Sequence, residues 1–96
     1  MTNHQAARKK TLRLIIHGNV QGVFFRDSMR SEAQSLAVTG WVRNRKNGTV
    51  EAAVYGDAAA LEAIVLWARR GPEHAHVERV EIKPDSGSYT SFEIIA

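Results

Sequence analysis

"TLRLIIHGNVQGVFFR", residues 11–26, passes from one hydrophobic period to another within a few residues. Leu12, Leu14 and Ile16 alternate with Arg13, Ile15 and His17, the two-residue period of a strand with one strongly apolar face. Gly18 ends that strand in this reading. From Phe25 the apolar residues fall at Phe25, Met29, Ala33 and Leu36, which leaves Arg30, Glu32 and Gln34 for solvent and predicts an amphipathic helix over residues 25–37. A strand, a turn holding Gly18 and Gly22, and a helix therefore follow one another directly.

Downstream, "TGWVRNRKNGTVEAAVYG", residues 39–56, holds two strand-like runs, 40–45 and 49–55, joined through Asn47-Gly48. Asn-Gly readily supplies the positive φ angles of a tight hairpin, and the alternating apolar residues beside it predict one. Val42 shares parity with Asn44, while Val50, Ala52 and Val54 face one side together. Asp57 is placed to cap a second helix whose stripe is Leu61, Ile64, Val65 and Ala68; Arg69 and Arg70 suit its negative end, and Gly71-Pro72 stops it. Residues 75–84 read as a strand with one charged face, and residues 92–95 as a short last strand after the "DSGS" turn. The order is strand, helix, hairpin, helix, then one or two strands. It predicts an α+β fold, the ferredoxin-like βαββαβ sandwich, with an antiparallel sheet carrying two helices on one face.

At 96 residues the chain suits one domain, expected over residues 10–96 behind a solvated N-terminal tail, residues 1–9, that lacks apolar periodicity. The absence of cysteine excludes disulfides, a thiolate nucleophile and thiolate metal sites. His4, His17, His74 and His76 show no recognisable ligand spacing, so no metal or other cofactor is expected. No apolar run has the length of a secretory core or a membrane span, so a cytoplasmic protein without membrane contact is expected. The charge is divided unevenly. Residues 1–50 hold nine Lys/Arg against two Asp/Glu, and residues 51–96 four against eight, so the half with the glycine turn is the positive one. Such asymmetry suits nucleic acid or a small anionic ligand.

A turn hinged on Gly18 and Gly22 can point successive backbone N–H groups inward, and a helix starting just after it adds its unpaired amides and positive dipole end. Arg26, in the first helical turn, brings a planar fork that matches two oxygens of a phosphate or carboxylate. "GNVQG" is neither a Walker loop nor GxGxxG, and on spacing alone the glycines equally serve a simple turn with Arg26 solvated.

"GNVQGVFFR", residues 18–26, resembles the acylphosphatase signature G-x-V-Q-G-V-x-F-R. "GWVRNRKNGTVE", residues 40–51, resembles that family's second signature, G-W-V-x-N-x-x-x-G-x-V-E, and "GPEHAHVERVEI" resembles its G-P-x-x-A-x-V-x-x-V segment. The resemblance runs from about residue 12 to the end of the chain. It implies hydrolysis of the carboxyl–phosphate bond of small acyl phosphates, with no metal, by a cytoplasmic monomer. Carried over by residue, it implies that Arg26 and the amides of Val20, Gln21, Gly22, Val23, Phe24 and Phe25 bind the phosphoryl group and that Asn44 positions the attacking water. A carboxylate is a good leaving group near neutral pH, so positioning and charge stabilisation are most of what the reaction asks for. The alternative is a module of the same fold that binds phosphate or acyl phosphate without turnover.

Two departures stand out. Ala37 occupies a position where the family usually has Gly at the left-handed end of the first helix, and Asn19 stands where many relatives have Arg. Among other candidates, His17 borders the turn but reads as a half-exposed strand residue, and His74 and His76 lack a third ligand. Trp41 and Trp67 read as core anchors, while Arg43, Arg45 and Lys46 read as solvated residues able to steer anions. RNA-recognition domains share the expected fold, but they stack bases on aromatics of the central strands, and here only Tyr55 lies near such a position, so no nucleic-acid partner is expected.

Overall fold

A computed structural model describes residues 8–96. Of the expected tail, residues 1–7 lie outside the described residues, and Lys9 already belongs to the first strand. The elements are β1 (Lys9–Asn19), α1 (Phe25–Ser35), β2 (Thr39–Asn44), β3 (Val50–Asp57), α2 (Ala58–Arg70), β4 (His76–Asp85) and β5 (Phe92–Ile94). They build one sheet in the order β4-β1-β3-β2-β5. Four strands pair antiparallel, as the ferredoxin-like reading requires, and β5 joins the edge of β2 in parallel, so the sheet is mixed.

Both helices lie on one face. Leu14 and Ile16 of β1, Val42 of β2, and Val50, Ala52 and Val54 of β3 form one buried cluster with Phe25, Met29 and Ala33 of α1 and Leu61, Ile64 and Ala68 of α2. Each large apolar side chain in that layer stabilises the fold by about 1.5–3 kcal/mol relative to its exposed state. The α2 cap is as expected, with Asp57 accepting from the amide of Ala60 at 2.9 Å.

Three local expectations are corrected. β1 does not stop at Gly18 but runs on to Asn19 opposite His76, through a register shift between His17 and Gly18. A Cβ at Gly18 would meet the His76 carbonyl at 2.1 Å, so the glycine permits the bulge rather than ending the strand. The β2–β3 turn is not the two-residue Asn-Gly kind either. Gly48 N–H bonds the Arg45 carbonyl, Arg45 N–H bonds that of Thr49, and of the loop residues 46–48 only Gly48 has positive φ, the three-residue hairpin with a glycine bulge. Asn47 keeps a negative φ, and its Oδ1 accepts from both the amide and the hydroxyl of Thr49. Trp41, finally, is not a core anchor. It lies on the sheet face opposite the helices, opposite Ala53 in the register, under the guanidinium groups of Arg13 and Arg43 at 5.1 and 5.7 Å.

Helix α1 ends sooner than its periodicity suggests, at Ser35, in a Schellman motif. Val38 N–H reaches the Ala33 carbonyl and Ala37 N–H that of Gln34, which requires the left-handed conformation at Ala37, φ 59°. A Cβ in that conformation costs about 1–2 kcal/mol, offset in part by glycine's greater freedom in the unfolded chain. Ala37→Gly is therefore expected to stabilise the protein by about 1 kcal/mol and to raise its thermal midpoint by about 4–8 °C, measured by calorimetry. An unchanged or lower midpoint would show that the helix end carries no such strain.

Candidate active site

The site lies where β1 hands over to α1 and where β2 ends. Val20 is buried at the exit of β1, and Gly22 has φ 76°, a left-handed turn that brings the chain round before the helix. Phe24 occupies the N-cap position, also left-handed and with no side-chain cap. The first helical bond is Ser28 N–H to the Phe24 carbonyl. Upstream of Ser28, the amides of Gln21 to Asp27 find no acceptor among the described residues. Unpaired amides at the positive end of a helix dipole form a concavity that favours anions.

Arg26 stands half-buried in the first turn and forms no ion pair among the described residues. Asn44 closes β2 opposite Val50, so its side chain shares the helix-bearing face and meets the loop. Its Oδ1 is buried without a hydrogen-bond partner among the described residues, an expensive state for a carbonyl oxygen unless a ligand or water is meant to fill it. Arg26 and Asn44 line one cavity of about 220 Å³ together with Val20, Gly22, Phe24, Phe25 and Asp27. The structure thus brings together most of the residues singled out in sequence. Two stand apart. Val23 packs against the core, and the Gln21 side chain turns away to the hairpin, donating to the carbonyls of Arg45 and Thr49 at 2.8 and 2.9 Å. That clasp ties the loop to the strand carrying Asn44, a positioning role that the sequence showed only as a backbone position.

Asp27 is the cavity residue that sequence reasoning missed. Its carboxylate suits the positive end of α1 and lies 3.5 Å from Arg30.

Beside Asn44, Arg43 is not freely solvated. Its guanidinium meets Glu51 at 2.7 and 2.8 Å, Arg13 meets the other carboxylate oxygen at 2.9 Å, and Arg45 approaches to 4.0 Å. Burial alone would push the Glu51 carboxyl up, but the hydrogen bonds from Arg43 and Arg13 outweigh it and hold the group below the usual glutamate range. Glu51 therefore stays ionised and anchors the arginines flanking Asn44. Lys46 remains exposed on the hairpin. His17 is held against Glu81 of β4 and does not reach the cavity. His74 and His76 join no group of three metal-ligating side chains among the described residues.

The family model named Acylphosphatase matches residues 12–94, which contain the loop, Arg26 and Asn44. The chain belongs to the acylphosphatase family. A protein of Thiobacillus denitrificans named Acylphosphatase is 57% identical over 84 residues, covering 88% of this chain and 94% of its own. Among solved structures, an acylphosphatase from Coxiella burnetii superposes with a TM-score of 0.89 at 32% identity, covering 99% of this chain and all of its own. An acylphosphatase from Bacillus subtilis superposes with a TM-score of 0.87 at 30% identity, covering 93% of this chain. As a member of the acylphosphatases, a hydrolase family, the chain is an enzyme, with the ferredoxin-like α+β fold described above.

Proposed function

We propose that the chain hydrolyses acyl phosphates in a cavity where Arg26 and the amides of Val20 to Phe25 hold the phosphoryl group and Asn44 holds the attacking water. The observation that carries this reading is the cavity that Arg26, Asn44 and the loop line together, with the Asn44 Oδ1 unpartnered among the described residues. An amide oxygen accepts a hydrogen bond from water and so aims the water's lone pair, here toward a phosphorus held by the loop. The water oxygen forms the new bond to phosphorus, and the bond from phosphorus to the bridging carboxyl oxygen breaks. The carboxylate leaves with the bonding pair, and a phosphate oxygen takes the water's proton, giving carboxylate and inorganic phosphate. Arg26 and the amides stabilise the charge on the equatorial oxygens. No step needs a metal or an organic cofactor.

The same reading makes the chain a cytoplasmic monomer acting on a small molecule, with neither nucleic acid nor membrane as partner. The open face supports the exclusion of nucleic acid, since Trp41 carries Arg13 and Arg43, and Tyr55 carries Lys9 at 5.7 Å and Tyr89 at 6.5 Å. Those rings are not free to stack bases. No described helix is long and apolar enough to cross a membrane.

Hydrolysis of benzoyl phosphate by purified protein in excess EDTA tests the proposal. Turnover unaffected by chelation is expected. Phosphate binding without turnover would instead establish the non-catalytic module.

A further inference from the structure

Phe24 is placed against three ordinary preferences at once. Its backbone is left-handed, φ 62° and ψ 30°, which for a bulky residue is a genuine outlier. It sits at a helix N-cap, where Ser, Thr, Asp or Asn would satisfy an amide, and it makes no capping bond. The residue is 74% exposed, whereas the adjacent Phe25 is 2% exposed and packs on Trp67 at 5.3 Å. The core therefore takes nothing from the Phe24 ring. A strained, uncapped and uncovered aromatic directs attention to what it borders, and Phe24 borders the cavity that holds Arg26 and Asn44.

We propose that the Phe24 ring is the acyl-group shelf of the site and sets a preference for apolar, above all aromatic, acyl phosphates. The inference rests on the acyl-phosphate reading above. With the phosphoryl group on the loop amides, the carbonyl lies only one bridging oxygen away, so its substituent must leave the cavity past the residues at its mouth. Phe24 gives its backbone to the loop, lines the cavity and stays exposed, so one residue borders both the phosphoryl site and the way out for the acyl group. An aromatic acyl group against the ring removes apolar surface from water and adds an aromatic pair, whereas an acetyl group covers little of it.

The test is the ratio of kcat/KM for benzoyl phosphate to that for acetyl phosphate, in wild type, Phe24→Gly, Phe24→Leu and Phe24→Tyr. Any disturbance of the loop itself scales both substrates together and cancels in the ratio. Phe24→Gly and Phe24→Leu are expected to lower it by about 3- to 10-fold, chiefly through KM for benzoyl phosphate, and Phe24→Tyr to retain it. Glycine accepts the left-handed backbone, so Phe24→Gly is also expected to keep or raise the melting temperature; if it does not fold, Phe24→Leu decides. A ratio unchanged in folded Gly or Leu variants overturns the shelf while leaving the hydrolase intact. A wild type that turns over neither substrate overturns the acyl-phosphate reading and the shelf with it.

Discussion

Arg26→Ala is expected to lower kcat/KM for benzoyl phosphate by about 10³-fold or more, the range in which a single arginine stabilises a phosphoryl-transfer transition state. The side chain has no ion pair among the described residues and lies half-exposed, so its removal leaves no buried partner behind and the melting temperature should stay within about 1 °C of wild type. Arg26 is the cation that lines the cavity, since Arg13 and Arg43 are committed to Glu51. Loss of ground-state affinity should accompany loss of rate, seen as weaker competitive inhibition by inorganic phosphate. Arg26→Lys keeps the charge but not the planar fork that meets two oxygens together, and should recover affinity better than rate. Activity in Arg26→Ala within a few fold of wild type would remove Arg26 from the site.

Asn44→Ala should separate activity from stability. Losing one positioned polar group of this kind lowers kcat by about 10²–10³-fold, with KM little changed because the loop and Arg26 still hold the phosphoryl group. The same substitution deletes a buried oxygen that has no protein partner among the described residues, so it should leave the melting temperature unchanged or raise it. Steady-state kinetics beside a thermal melt read both effects. A variant that is both slower and less stable would mean that Asn44 supports the hairpin rather than the water. Asn44→Asp replaces the oxygen with a charge facing the anion site, and should be no faster than Asn44→Ala.

Much of this was legible before any coordinates. Leu12, Leu14 and Ile16 announce a strand, Phe25, Met29 and Ala33 a helix, and Asp57 with Gly71-Pro72 brackets α2 at both ends. These signals are local. Periodicity and a capping carboxylate three residues from its amide act between near neighbours, so the order of residues contains them. Arg26 and Asn44 were named through the family resemblance, since each sits inside one of its short signatures, whereas spacing alone left Arg26 equally a solvated residue. Misreadings gathered where local chemistry admits two answers. Asn47-Gly48 permits several hairpin turns, and a glycine in a strand can end it or bulge it.

The sequence by itself thus determined the elements, their order and the family, and through the family's signatures it named the two side chains on which the proposed chemistry depends. Only the tertiary structure decided that β5 joins β2 in parallel, and that Trp41 lies on the open face rather than in the core. It alone buried Glu51 among Arg13, Arg43 and Arg45, and turned the Gln21 side chain onto the hairpin. It alone left Asn44 Oδ1 without a partner beside a row of free amides. The reason is physical. Hydrogen-bond and ion-pair partners are selected across the sheet, between residues that the chain separates by 38 positions in the case of Arg13 and Glu51 and by 64 in that of His17 and Glu81. Whether a polar group is satisfied depends on all of its neighbours in space, and no local pattern encodes that.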